Sequence, residues 1–420
     1  MQLTKDHGLR TMVFYFLYGV KVLILHQYFN TPVTGGALRS YYLATALADA
    51  GIETVVITTH NHPERRKDFV NGVEVHYLPI PYDNRFGFIK RISSFLKFVS
   101  SIVREADEFK DADVCYAIST PLTIGLAAIW IKKRFRIPYF FEVGDLWPEA
   151  PVQLGIIKNS LLKAILYKLE RSIYKRSEAI VALSEAIKTE IQKKVTGKEI
   201  HVISNMADTD FYKPEVKRPE LEAKFGVQNK FVVSYIGTMG LANGLEFFLA
   251  CAEGCIKLPI QFLLCGEGAM LEKLKRIAHE KRLNNVSFIP VQNREGVRAV
   301  LYVSDAVFIS YQQLPVLETG SPNKYFDGLA AGKLMVVNVG GWMKNEIEQH
   351  ACGFAVNNPQ AFLKKIELFI SNPDQLRQCQ SAARSLAERI YSRKLLSENF
   401  LRVVQSSGYF KRNEKSSHVI

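Results

Sequence analysis

No stretch of the sequence stays apolar over the roughly 20 residues that a membrane-spanning helix needs. Met12 to Val20 is an apolar run that resembles a short signal-peptide core, preceded by Lys5 and Arg10 and cut short by Lys21. It lacks the small-x-small cleavage site of a signal peptide, so it reads as extra residues leading into the first strand, with a peripheral membrane foot as the other reading. Paired cysteines are missing too. Cys115, Cys251, Cys255, Cys265, Cys352 and Cys379 contain no C-x-x-C, and Cys251 and Cys255, four apart, have no His or Cys partners at ligand spacing. They read as packed thiols in a reducing, cytoplasmic setting. His26, His60 and His62 lack spaced partners as well, so no metal site is expected. The charge excess is not concentrated in one half of the chain: the net +13 divides at Asn205 into +7 and +6. A nucleic-acid binder would concentrate that excess, so anionic small ligands and an anionic membrane surface are the expected partners.

What is present is a long folded chain. Hydrophobic content of 48% against 23% charged excludes a mainly disordered protein, and 420 residues exceed what one core usually holds, so two domains are expected. Apolar runs at Val20–His26, Thr54–Thr59, Val73–Pro79, Asp113–Ala117, Tyr139–Val143, Ala179–Leu183 and His201–Ile203 read as strands. Helical spacing lies between most of them, notably at 38–50, 88–105, 122–135 and 158–176. The periodicity lapses from Asn205 to about Lys230, where a linker is expected. It resumes with strands at Phe231–Ile236, Ile260–Cys265, Val286–Ile289, Ala306–Ser310 and Leu334–Val337. Alternation of this kind predicts an α/β protein of two doubly wound, mostly parallel sheets facing a central cleft.

The stretch Ser321 to Lys333 (SPNKYFDGLAAGK) carries the chemistry. Ser321 suits an N-cap, Pro322 the first helical position and Gly332 the left-handed stop, which predicts a short helix. Lys324 then falls at the third position, where the helix dipole repels a cation unless an anion sits over the helix start. Asn323 and Asp327 share one face, so a phosphate at the helix start brings a ribose or sugar within reach of the Asp327 carboxylate. That chemistry suits a nucleotide-diphosphate ligand.

These features, in their order, resemble the family-4 glycosyltransferases, retaining enzymes of GT-B architecture, and among them bacterial surface-polysaccharide members that transfer amino sugars. The resemblance covers roughly residues 20–405. It rests on Gly35-Gly36, Asp145-Leu146-Trp147-Pro148-Glu149, Ser204 to Asp208 with Phe211 and Pro214, Gly237-Thr238, Gly266-Glu267-Gly268 and the stretch from Ser321. It implies an acceptor-binding Rossmann-like domain over 1–205, a nucleotide-sugar-binding one over 206–385, and a C-terminal helix with polar tail over 386–420. The family's second glutamate, on the ribose, is matched by Asp327. Its first falls on Thr319, with Glu318 adjacent as a substitute. The family's basic pair on the pyrophosphate falls near Thr238 and Asn243, both uncharged, which leaves Lys324 as the cation.

The resemblance implies transfer of a sugar, an N-acetylated amino sugar or deoxy sugar among the candidates, from a nucleotide-diphosphate donor to a lipid-linked or glycan hydroxyl. Donor contacts are then expected from Gly35, Gly36, Gly237, Thr238, Asn243, Gly268, Glu318, Ser321, Asn323, Lys324 and Asp327. No pair of carboxylates has a spacing that argues for glycosidase-like double displacement. The expected course is front-face substitution without metal or cofactor, with Asp145 and Glu149 orienting the acceptor. Asp208-Thr209-Asp210 spells D-x-D, yet its place at the linker suits turn-forming carboxylates. An epimerase of the same architecture and a catalytically silent subunit are the alternatives. Finally, residues 85–104 hold five cations (Arg85, Lys90, Arg91, Lys97, Arg104) and no acid, interleaved with Phe86, Phe88, Ile89, Ile92, Phe95, Leu96, Phe98 and Val99. Either this is a basic amphipathic helix on anionic lipid at the inner membrane face, or it is a helix packed on the first domain.

Overall fold

The computed structural model describes residues 19–83 and 86–406. Most of the apolar run at 12–20, the Arg85 of the basic segment and the polar tail beyond Ser406 lie outside the described residues.

The first half runs β1 (Lys21–Leu25), α1 (Arg39–Asp49), β2 (Glu53–His60), β3 (Arg66–Val70), β4 (Val73–Pro79), α2 (Phe88–Glu105), β5 (Val114–Ile118) and α3 (Ile124–Phe135). It continues with β6 (Tyr139–Val143), α4 (Glu149–Gln153), α5 (Ser160–Arg176), β7 (Ile180–Ala182), α6 (Glu185–Gln192) and β8 (Ile200–Val202). After the linker helix α7 (Pro219–Phe225) come β9 (Phe231–Ile236), α8 (Glu246–Gly254), β10 (Ile260–Cys265), α9 (Leu271–Glu280), β11 (Val286–Ile289), α10 (Arg294–Val303) and β12 (Ala306–Ile309). The chain ends with α11 (Asn323–Ala330), β13 (Leu334–Val337), α12 (Gly341–Gln349), β14 (Gly353–Ala355), α13 (Pro359–Ser371), α14 (Pro373–Ile390) and α15 (Arg393–Ser406).

The eight-stranded first sheet has the order β3-β4-β2-β1-β5-β6-β7-β8, and the six-stranded second the order β11-β10-β9-β12-β13-β14. Apart from the antiparallel β3–β4 pair, every ladder is parallel. Contiguous apolar runs such as IQFLLC are buried along their whole length because helices cover both faces of a parallel sheet. The exception, β3, is a mostly exposed edge strand turned back by Asn71-Gly72, both at positive φ, a hairpin signal that short length and charge obscure. The strand order reverses between β1 and β5 and between β9 and β12, so each sheet opens a crevice at the carboxyl ends of those strands.

Helices α2 and α3 and the core of α5 cover one face of the first sheet. Within α2, Phe95, Phe98 and Ile102 are buried, so most of its apolar face is core, while Ile89 and Leu96 stay exposed. On the other face lie α1 and, from the far end of the chain, α15, whose Phe400 meets Tyr116 edge to face at 5.0 Å. Burying such a ring is worth roughly 1.5–3 kcal/mol, so α15 fastens the second half of the chain back onto the first sheet.

Candidate active site

The two crevices meet in a cleft of about 710 Å³. Helix α11 forms one wall. It starts one residue later than the sequence rules predict: Pro322 is the cap, Lys324 falls on the second position, and Ser321 makes no capping bond. The reason is tertiary. The Asn205 side chain donates to the Ser321 carbonyl, fixing that residue to the linker, and the Ser321 hydroxyl, in the cleft lining, has no partner among the described residues. Gly332 ends the helix at φ +60°, as expected.

Lys324 crosses to β9, where its Nζ donates to Tyr235 Oη at 2.9 Å and lies 4.2 Å from that ring's centre. The Tyr235 hydroxyl donates in turn to the Thr238 carbonyl at 2.6 Å. Burial without a carboxylate partner pulls the Lys324 ammonium down to about 7. Asp327 shows the mirror effect: burial first, then the neighbouring Asp208 charge, pushes its carboxyl up to about 7 against the pull of Arg294. Gly237 lies under the Lys324 stem, and a Cβ on Gly266 would stand 2.1 Å from the Gly237 carbonyl oxygen, so only glycine lets these two loops close on each other.

The opposite wall is built differently. Arg39 at the start of α1 grips Glu142 on β6 through Nε–Oε1 and Nη2–Oε2 bonds of 2.9 Å each. Tyr116 Oη donates to Glu142 Oε2 at 2.5 Å, and Arg39 Nη1 donates to the Ser204 carbonyl. His26 Nδ1 lies 2.8 Å from Ser40 Oγ, and burial lowers its ring to about 4, so it stays neutral at physiological pH. Asp145 is exposed within the cleft; the surrounding walls raise its carboxyl, opposed by a hydrogen bond from Thr120. Ser119 Oγ, buried in the same wall, has no partner among the described residues.

Gly36, Gly237, Thr238, Asn243, Ser321, Asn323, Lys324, Asp327 and Asp145 are thus brought together around one cleft. Four predicted contacts are not. Gly35 is buried, and a Cβ there would lie 3.8 Å from the Arg294 backbone nitrogen across the domain boundary. Gly268 sits behind the wall, where a Cβ would strike the Met239 carbonyl oxygen at 2.5 Å. Glu318 lies against the Gly340-Gly341 turn, outside the cleft lining. Glu149 faces α5: it accepts from Tyr167 Oη at 2.6 Å and from Gln153 Nε2 at 2.7 Å. Those bonds outweigh the effect of burial and hold its carboxyl below the ordinary value. Glu149 therefore orients Gln153, whose Oε1 accepts from the Val316 backbone N–H across the domain boundary at 3.1 Å.

Sequence reasoning missed Arg39, Glu142, Ser119 and Arg294. The findable one was Glu142, a lone acid inside the apolar run YFFEV, since a fully buried charge needs a partner. The D-x-D carboxylates each hold an arginine. Asp208 accepts from Arg294 and, at 2.6 Å, from Tyr42, while Asp210 accepts from Arg393 at 2.7 Å. Among the described residues no group of three or more His, Cys, Asp or Glu side chains could hold a metal ion.

Two family models match consecutive parts of the chain: a glycosyl transferase 4-like domain over residues 34–206 and glycosyl transferases group 1 over 217–386. The chain is 26% identical over 131 residues to the putative colanic acid biosynthesis glycosyl transferase WcaI of Escherichia coli, covering 31% of this chain and 30% of that protein. It is 24% identical over 201 residues to the putative teichuronic acid biosynthesis glycosyltransferase TuaH of Bacillus subtilis, covering 47% and 49%. These matches span less than half the length of either relative. Sucrose-phosphate synthase from Thermosynechococcus elongatus superposes with a TM-score of 0.76 at 13% identity, over 92% of this chain and 98% of that one. The fold is therefore the GT-B architecture.

Proposed function

Because the chain belongs to the group 1 glycosyl transferases with a 4-like first domain, we propose that it builds bacterial surface polysaccharide, such as O-antigen or capsule. In this reading it moves a sugar, with retention, from a nucleotide-diphosphate donor to a hydroxyl of a lipid-linked or oligosaccharide acceptor. The observation that carries the proposal is Lys324. It is a half-buried cation in the cleft wall with no carboxylate partner among the described residues, held by Tyr235 at the start of a helix. A diphosphate supplies the missing counter-charge, and the α11 N–H groups and Ser321 Oγ supply donors for its oxygens. Asp327, one turn further along, accepts from the ribose hydroxyls.

Asp145, on the facing wall, orients the acceptor hydroxyl. The bond from the sugar's anomeric carbon to the diphosphate oxygen breaks while the bond to the acceptor oxygen forms on the same face. The acceptor's proton passes to the departing phosphate. Lys324 and the helix dipole stabilise the charge that develops there, so the work is positioning and electrostatics, without divalent ion or cofactor. Acceptor delivery places the protein at the inner face of the cell membrane.

The deciding experiment is a thermal-shift screen of nucleoside diphosphates and their sugars, followed by product analysis with and without acceptor. A ligand at 100 times its Kd stabilises by about 2.7 kcal/mol. Transfer that needs acceptor and survives a chelator supports the reading. Epimerised donor without acceptor, or binding without turnover across an acceptor panel, overturns it.

A further inference from the structure

We propose that the protein docks on anionic phospholipid bilayers through α5 and the end of α3, rather than through α2 alone. This names a surface for the membrane partner and so rests on the reading above.

Helices α2, α3 and α5, which share one face of the first sheet, carry four, three and five Lys or Arg residues. Their two acids are both engaged: Glu105 pairs with Arg65, and the fully buried Glu170 pairs with Lys194 at 2.7 Å. Two shallow grooves flank the end of α5 and share Lys175 and Arg176. One is lined by Lys168 and Arg171, the other by Lys132, Lys133 and Lys198. Among the described residues lining these grooves Glu178 is the one acid, and Lys132 bonds it at 2.5 Å. Such grooves suit the phosphates of lipid headgroups.

The other end of α5 is apolar and out in solvent. Leu161 is 71% exposed and Ile165 55%, with Ile156 just before the helix at 48%. Leu161, Ile165, Lys168 and Lys175 fall at helical spacing along one stripe, apolar at the start and cationic at the end. Each strand of a parallel sheet points its carboxyl end at the cleft, so α5 begins at the cleft edge. The segment from Asp145 to Ser160 joins the acceptor wall to that apolar tip directly. A bilayer that takes up Leu161 and Ile165 therefore presents its lipid headgroups beside the acceptor wall, while the cationic end grips the surface. Helix α2 has less to offer, since Phe95 and Phe98 are committed to the core.

Co-sedimentation of the full chain with vesicles of phosphatidylglycerol and phosphatidylcholine, against phosphatidylcholine alone, tests the proposal. The expected result is binding to the anionic vesicles that weakens with salt, and little to the neutral ones. Removing two cations near such a surface, each worth roughly a factor of five, should lower the partition coefficient of Lys168→Ala/Lys175→Ala roughly 25-fold. Leu161→Ser/Ile165→Ser should lower it in a way salt does not restore, and Lys90→Ala/Lys97→Ala should do so less than either. No binding by the wild type overturns the proposal. So does loss only in the α2 variant, or an α5 variant that dissociates a dimer while keeping vesicle affinity. Nucleotide-sugar thermal shifts should be equal in all variants. Their absence in the wild type would sink the transferase reading and leave the vesicle result standing.

Discussion

The two walls of the cleft treat charge in opposite ways. On the first-domain wall, Arg39 and Tyr116 both bond the Glu142 carboxylate, and the guanidinium also donates through Nη1 to a backbone carbonyl. On the second-domain wall, Lys324 and Asp327 are half-buried with no ion-pair partner among the described residues, and each is drawn toward neutrality. A completed ion pair behaves as scaffold. An uncompensated one is poised for a ligand that brings the missing charge.

The largest expected effect breaks the scaffold. Arg39→Ala leaves the Glu142 carboxylate buried with only the Tyr116 hydroxyl, and breaking a buried pair costs roughly 3–5 kcal/mol. The denaturant midpoint should fall accordingly. Arg39→Met combined with Glu142→Leu should recover part of the loss, because removing both charges avoids an orphan. Equal midpoints for Arg39→Ala and the wild type would show that the pair is not structural.

Next in size is the donor wall. Lys324→Ala should leave stability unchanged or raised, since it removes a desolvated cation near a helix start. It should nevertheless lower both kcat and kcat/KM, because the contact strengthens as charge develops on the leaving diphosphate. A lost charge-assisted hydrogen bond costs on the order of 1.5–3 kcal/mol, or tenfold and more in rate. Steady-state kinetics beside a melting curve checks both halves. A destabilised protein with normal kcat would move Lys324 to the scaffold class.

A smaller effect is expected from the tie between the domains. The turn before α11 is held to the first domain by Gln153 on the Val316 N–H and by Ser184 Oγ donating to the Thr319 carbonyl at 2.7 Å. Losing one neutral bond of this kind costs roughly 0.5–1.5 kcal/mol. Gln153→Ala should raise KM for donor a fewfold with little change in the melting temperature, as measured by donor titration. An unchanged KM would mean that the tie does not position α11.

The same contrast explains what could be read from sequence. Lys324 and Asp327 lie on one helix within one motif, so local rules place them beside each other. Arg39, Glu142, Tyr116 and Ser204 come from four segments, and no period in the sequence joins them. Runs such as IQFLLC and LMVV announce strands because both faces of a parallel sheet are covered. Three-residue β14 and charged α7, which has no buried residue, carry no such pattern. The return of α15 to the first domain rests on Phe400 finding Tyr116, a tertiary fact, and the one-residue shift of α11 rests on Asn205 taking the Ser321 carbonyl.

The subtlest expectation follows from the two shifted groups together. Asp327 titrates near 7 in the folded protein against an ordinary 3.8, so between those values the native state holds more protons than the unfolded chain. Its contribution to stability is therefore lost as pH rises toward 7. Lys324 titrates near 7 against an ordinary 10.5, so over that span the unfolded chain holds more protons, and its contribution is recovered only as pH rises above 7. The ligand-free protein should accordingly show a minimum in its contribution from this wall near pH 7. Asp327→Asn should flatten the acid side of that minimum and Lys324→Ala the alkaline side. A nucleoside diphosphate placed beside Lys324 favours its charged form, so binding above pH 7 should take up a proton and weaken as pH rises further. Asp327→Asn should weaken binding without altering that alkaline dependence. Calorimetric titration of a nucleoside diphosphate in two buffers of different ionisation enthalpy reads the proton directly. No uptake above pH 7, in a protein that binds the ligand, would mean that the diphosphate does not sit on Lys324.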